Sequence, residues 1–349
     1  MSNSVLLSVV LTVYNVEKYI FECLKSIEQQ SFKDFELIIV DDGSTDNSQS
    51  IYLDFCKKNS NWHVIYQENK GPGVARNRGF SIARGEFIIF LDSDDIFHHF
   101  FFQKMVTKAI ESSCDIVCCR AIGFNDITKR SFSIPYMRNV SPGITYTNKF
   151  EGKLLLSFFG WAWDKLFRRN FLKINNIIFP DLKNSEDLVF TYSALAFSKK
   201  IYCLNEELVY HRINRANSVS SQHIQNIFDF YMAICLLKKC LISKKRIWSR
   251  EKWGFNNWAL HFALWYAFSL KDNESTLMII NYIKQGKLQE IDLKNYDKKY
   301  FTFYPFDLSI LKSSPKFIFI QWKIFSFLNY IQKYGLKNTL SKIFSIFNL

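Results

Sequence analysis

The sequence predicts an α/β fold, a parallel sheet with helices on both faces, followed by a helical C-terminal region. Three observations predict it. Strand-like and helix-like segments alternate up to Arg120, which calls for parallel pairing through crossover helices. Two runs rich in Ile, Val and Phe, Phe35–Val40 (FELIIV) and Phe87–Leu91 (FIIFL), have the continuous apolar character of strands buried on both sides. Each ends in a knot of carboxylates, Asp41-Asp42-Gly43-Ser44 and Asp92-Ser93-Asp94-Asp95. Open α/β sheets bind ligands beyond the carboxyl ends of their strands. Both clusters are therefore aimed at one crevice, where a cation with a charged ligand would relieve their repulsion.

The elements follow in order. Leu6–Val13 (LLSVVLTV) is a strand, and Glu17–Gln30 a helix with Ile20, Leu24 and Ile27 on one face. After the strand Phe35–Val40, Ser44-Thr45-Asp46 offers capping groups to a helix running towards Lys57. Trp62–Tyr66 is a third strand, Gly71-Pro72-Gly73 a turn, Val74–Ala83 a short helix and Phe87–Leu91 the fourth strand. Beyond Arg120 the alternation stops. Asn125–Phe150 is polar and reads as loop and short strands, whereas Glu151–Arg169 is expected to be mostly helix. Ser185-Glu186-Asp187 makes a further acidic step before the apolar run Leu188–Ala196. From His223 the chain reads as helical and rich in Trp, Phe and Lys, with a boundary expected near Ser221.

Composition narrows the function classes. The 349 residues are 48% hydrophobic and 22% charged, enough to bury a large core, so disorder is set aside. A formal charge of +13 suggests an anionic partner: nucleic acid, anionic lipid or a phosphorylated substrate. Lys is scattered rather than blocked in the first half, which argues against a nucleic-acid arm. The eight cysteines show neither disulfide-scaffold nor zinc spacing. Cys114, Cys118 and Cys119 fall in a strand-like segment and are expected as buried thiols in a reducing cytosol. Leu6–Val13 is too short for a signal or spanning helix, and no run elsewhere reaches the ~18 apolar residues a membrane span needs.

Two carboxylates one residue apart at a strand end, Asp92 and Asp94, suit a hard divalent ion that keeps positions for water and phosphate oxygens. Asp95 is expected instead to cap a helix beginning near His98. A carboxylate at Asp41 or Asp42 can accept hydrogen bonds from a nucleobase imide or a ribose hydroxyl, or serve the turn that follows. Glu186 and Asp187 suit a helix start, where the dipole favours negative charge. Trp161 and Trp163 fit either a core or a sugar platform, and Trp163 is carried as an acceptor-site candidate. Gly71–Gly79 lacks the Gly-Lys-Ser/Thr ending of a phosphate loop and does not directly follow a strand.

Taken together these segments resemble the family 2 glycosyltransferases. Ser8–Asn15 (SVVLTVYN), Phe35–Ser44 (FELIIVDDGS), Gly71–Gly79 (GPGVARNRG) and Gly85–Asp95 (GEFIIFLDSDD) follow the family's order and spacing. The match continues through Trp163–Arg169 (WDKLFRR), Glu186-Asp187 and Tyr210-His211-Arg212. The resemblance implies a GT-A (Rossmann-like) fold, a nucleoside-diphosphate sugar donor, a divalent cation (Mn2+ or Mg2+) and inversion at the anomeric carbon. It implies that Thr12 and Tyr14 hold the nucleobase and that Asp42, with Asp41 beside it, meets the base edge. Arg76 and Asn77 fall over the ribose and phosphates, Asp92 with Ser93 at the ribose, and Asp94 on the metal. Asp187 falls where the family places its catalytic base, with Glu186 beside it, and His211, Arg212 and Arg215 match a segment facing the pyrophosphate. On this basis residues 1–221 are expected as the GT-A domain, with a nucleotide-binding half at 1–120 and an acceptor-side half at 121–221. Residues 222–349 form the helical region.

The expected activity is transfer from a UDP-hexose or UDP-N-acetylhexosamine to a saccharide or lipid-linked saccharide in bacterial surface-glycan synthesis. Two rivals share the architecture. A sugar nucleotidyltransferase would need a Gly-rich triphosphate loop where Thr12-Val13-Tyr14-Asn15 stands, and a non-catalytic glycan-binding scaffold would lose Asp94 or Asp187. The tail Pro315–Leu349 interleaves Phe317, Ile320, Ile324, Leu328 and Ile331 with Lys316, Lys323, Lys333, Lys337 and Lys342. It suits either a helix pair packed on the body or a surface lying on anionic lipid at the inner face of the cytoplasmic membrane.

Overall fold

The computed structural model describes residues 5–126, 128, 130–134, 140–213, 228–270 and 273–291. They fall in two compact units, one ending at Phe255 and the other starting at Asn256. The chain runs β1 (Leu7–Val13), α1 (Ile20–Glu28), β2 (Phe35–Asp41), α2 (Ser48–Cys56), β3 (Trp62–Tyr66), α3 (Pro72–Ile82), β4 (Phe87–Asp92), β5 (Ile96–Phe97), α4 (Phe101–Ser112) and β6 (Ile116–Asn125). It continues through β7 (Ser131–Ser133), β8 (Gly143–Tyr146), α5 (Leu154–Ser157), β9 (Lys165–Arg168), α6 (Arg169–Ile174), α7 (Glu186–Phe197), β10 (Lys200–Ile213) and α8 (Asp229–Ile242). Helices α9 (Lys245–Ser269) and α10 (Asn273–Lys284) complete the described chain.

All ten strands join one sheet in the order β3-β2-β1-β4-β9-β6-β10-β5, with β7 on β6 and β8 on β10. Strands β1 to β4 pair in parallel, as do β6 and β10. The runs in β1, β2 and β4 are continuously apolar because helices cover both faces. On one face α1 sets Ile20, Cys23, Leu24 and Ile27 against Leu7, Val9, Leu37 and Ile39. On the other, Phe90 makes T-shaped contacts with Phe80, Phe179 and Phe190.

Two expectations are corrected. The sheet is mixed rather than wholly parallel, because β9 lies antiparallel between β4 and β6. The helix expected over Glu151–Arg169 shrinks to the four residues of α5. Leu166 and Phe167, both fully buried, instead fill the slot between two strands whose backbone groups would otherwise lack partners. Helix α8 packs on α7, and both lie in the first unit. Ser221, Arg215, His223 and the tail Pro315–Leu349 lie outside the described residues. Among the described residues no helix is long and apolar enough to cross a membrane. Cys118 and Cys119 lie on β6 and are buried, as is Cys114.

Candidate functional site

The site is built by sheet register. Strand order reverses at β1, with β2 and β3 on one side and β4 on the other, so a crevice opens beyond the carboxyl ends of β1 and β4. Pairing sets Thr12 opposite both Val40 and Asp92, and Val13 opposite Asp41, so the two acidic clusters share one edge. Tyr14, just beyond β1, is 45% exposed. The Asn15 amide side chain accepts from the backbone of Thr45 and Asp46, which ties the loop after β1 to the loop after β2. At that edge Asp41 accepts from Ser44 N and the Tyr52 hydroxyl, which is turn chemistry. Asp42 accepts from Gln67 Nε2 at 2.6 Å, from Lys70 N at 2.8 Å and from Gly71 N at 2.8 Å, and so organises the loop that starts α3.

The second cluster is the more strongly charged. Ser93, Asp94 and Asp95 are buried just past β4, and Asp92 is partly exposed. Asp95 does not cap a helix; α4 begins only at Phe101. Its carboxylate faces His211 Nδ1 at 3.1 Å and accepts from Arg212 N at 2.8 Å. Burial opposes a charge on His211, but Asp95, then Asp94 and Asp92, outweigh it and push the imidazole up to about 9. Burial followed by the same three carboxylates raises the Cys23 thiol well above its usual range. Arg212, expected to face a pyrophosphate, is turned into the protein. Its Nη1 meets Asp126 and its Nη2 meets Glu22, each at 2.6 Å, while Nε donates to Asp94 O.

The third contribution comes from α7. Glu186 is buried and paired with Arg76, whose Nη1 lies 2.5 Å from Oε1. The other arm of the same guanidinium, Nη2, is 2.8 Å from Asp92. Beside Glu186, the Asp187 carboxyl is pushed up to about 8 by burial and by Glu186, with Arg76 pulling the other way and Asp92 adding to the rise. The turn before α7 is held from behind, since Asp229 at the start of α8 accepts from the backbone N–H of Lys183 and Asn184. Asn77 joins by a reciprocal pair with the backbone of Phe179.

The family model "Glycosyl transferase family 2" matches residues 8–174, from β1 to the end of α6. This chain carries a family 2 glycosyltransferase domain. It is 34% identical over 232 residues to EpsH of Bacillus subtilis, covering 65% of this chain and 66% of that protein. It is 30% identical over 234 residues to the poly(ribitol-phosphate) beta-N-acetylglucosaminyltransferase TarS of Staphylococcus aureus, covering 66% of this chain and 39% of TarS. The chain thus spans less than two thirds of the length of either relative. The crystal structure of S. aureus TarS 1–349 in complex with UDP-GlcNAc superposes with a TM-score of 0.67 at 25% identity, over 95% of this chain and 92% of that one. The architecture is GT-A.

Within the family 2 domain, one acceptor-side expectation reverses. Trp163 is 4% exposed and packs in the core, stacked on His211 at 4.7 Å, whereas Trp161 is the partly exposed ring. Asp92 and Asp94 carry the oxygen donors that the sequence reading offered to a hard cation, and the carboxylates after β4 raise His211 and add to the burial that raises Cys23. Among the described residues no group of three or more His, Cys, Asp and Glu side chains is arranged to hold a metal. A cation would therefore take one or two carboxylates and draw the rest of its shell from donor phosphates and water. Nothing in the sequence signals the Asp95–His211 pair, Glu22 and Asp126 around Arg212, or Phe179 under Arg76. Those partners come from segments far apart in the chain, and no local spacing announces them.

Proposed function

We propose that this protein is an inverting glycosyltransferase. It transfers a sugar from a nucleoside diphosphate, expected to be a UDP-hexose or UDP-N-acetylhexosamine, to a hydroxyl of a saccharide or lipid-linked saccharide in surface-glycan synthesis. The observation that carries the proposal is the buried Arg76 guanidinium reaching both Asp92 and Glu186, because it puts the acidic end of β4 and the Asp187 end of α7 in one site. The UDP-GlcNAc complex of TarS supports the donor class, and the naming of TarS as a poly(ribitol-phosphate) transferase supports a surface polymer.

A protonated hydroxyl is a poor nucleophile at neutral pH. In the proposed reaction the acceptor oxygen bonds to the anomeric carbon as the bond from that carbon to the diphosphate breaks, and the hydroxyl proton passes to Asp187. Attack opposite the leaving group turns an α-linked donor into a β-glycoside. Asp92 and Asp94 would hold the divalent cation, whose charge offsets that of the departing diphosphate. We place the enzyme at the inner face of the cytoplasmic membrane, with the Lys- and Phe-rich tail as its contact with anionic lipid.

Isothermal titration with UDP and manganese, followed by a donor-hydrolysis screen across nucleotide sugars, tests the proposal. Manganese-dependent UDP binding and UDP release from at least one donor are expected. Binding with no turnover of any donor would favour the scaffold, and no binding at all would reject the donor assignment.

A further inference from the structure

We infer that Arg76 is a positioning residue, which fixes the base-bearing start of α7 against the carboxyl end of β4, and not the diphosphate ligand that its motif implies. The inference deepens the glycosyl-transfer reading and rests on it for the role of Asp187.

The geometry is a three-point registration along one face of α3. At Gly73 a Cβ would lie 2.6 Å from Pro180 O and 3.0 Å from Glu186 Cγ, so the helix makes this approach only through glycine. One turn on, Arg76 places its two terminal nitrogens on Glu186 and Asp92. Next to it, Asn77 Nδ2 donates to Phe179 O at 2.7 Å, and its Oδ1 accepts from Phe179 N at 3.0 Å. The guanidinium lies 5.2 Å over the Phe179 ring, which is itself stacked 3.9 Å from Phe190 of α7. Residues 179–190 and the end of β4 are thus held to one helix through the buried Arg76 and the half-buried Asn77.

The same contacts argue against a diphosphate role. A guanidinium grips phosphate through paired N–H groups. Here both ends of the fork are bound to carboxylates, and only the buried Nε lacks a partner. Electrostatics gives the position its consequence. The groups facing Asp187 are Glu186 and Asp92, which disfavour its ionisation, and Arg76, which favours it. Removing the Arg76 charge leaves three carboxyl groups without their counter-ion, so Asp187 must hold its proton more tightly. Removing the Glu186 charge must do the opposite.

Three variants test this in the full chain: Arg76→Met, Arg76→Lys and Glu186→Gln. The readouts are UDP affinity in manganese by isothermal titration, kcat for donor turnover, and titration of the Asp187 carboxyl by 13C NMR. Arg76→Met is expected to keep UDP affinity within about twofold while kcat falls at least ~10-fold. The Asp187 titration is expected to move to higher pH in Arg76→Met, to return part-way in Arg76→Lys, and to move to lower pH in Glu186→Gln. A loss of UDP affinity of about tenfold or more in Arg76→Met makes Arg76 a donor ligand and overturns the inference. An Asp187 titration that none of the variants moves also overturns it. Should Arg76→Met fail to fold, Arg76→Lys and Glu186→Gln carry the same comparison. Failure of the wild type to turn over any donor would sink the glycosyl-transfer reading, while the NMR shifts would still judge Arg76.

Discussion

Burial and the neighbouring Glu186 hold the Asp187 carboxyl up to about 8 against the pull of Arg76, so it binds a proton far more tightly than a solvated carboxylate does. Asp187→Asn is expected to lower transfer by ~100- to ~10,000-fold, because the amide cannot take the hydroxyl proton. UDP affinity should be unchanged; a mutant with normal turnover refutes the assignment. The same change has a stability consequence. An unfolded aspartate titrates near ~3.9, and the folded value lies above it. The folded state therefore gains from a protonated Asp187 at acid pH, and that gain is lost as pH rises through about 8. Asp187→Asn should accordingly melt above the wild type by a margin that grows with pH across this window and then levels off. Thermal melts over a pH series check it. The residue types of this site were legible in the sequence, since Asp92, Asp94, Arg76, Glu186 and Asp187 stand in ordered motifs. Their partners were not: the family resemblance implies a pyrophosphate-facing Arg212, yet Glu22 and Asp126 meet it only through folding.

At the scale of elements, the strand β9 shows how tertiary demand overrides local pattern. Lys165 sits in it with 1% exposure, and its ammonium donates to Phe159 O, Trp161 O and the Asp164 carboxylate. All three of its donors are thus used, and they fix the aromatic segment before β9 to the sheet. Lys165→Met leaves a buried carboxylate and two carbonyls without that partner and should destabilise the fold by about 3–5 kcal/mol. Replacing Asp164 by Leu in the same chain should recover part of the loss, because the uncompensated charge goes with it. Denaturant unfolding of the single and double variants measures both. A short KLFR segment with a lysine at its head reads as a helix end, and only the slot between β4 and β6 makes it a strand. The strands β1, β2 and β4 and the helix α1 were legible because burial on both faces, or on one stripe, writes a period into the sequence.

For the whole molecule, the formal charge of +13 and the Lys-rich sequence of the tail Pro315–Leu349 motivate the proposed contact with anionic lipid. Removing the tail should shift the protein from anionic vesicles to the supernatant in sedimentation, and unchanged sedimentation would reject the membrane contact. The order of the strands matters as much as their identity. With β1 between β2 and β4, one sheet edge collects Thr12, Asp41 and Asp92. The sequence by itself determined the α/β class, the acidic strand ends and the family motifs, because apolar period and turn chemistry are local properties of a chain. Only the tertiary structure decided that β9 would split the parallel strands, that Asp95 would pair with His211, and that one guanidinium would span Asp92 and Glu186. Those outcomes depend on which distant groups meet once burial makes every unpaired charge and backbone group find a partner.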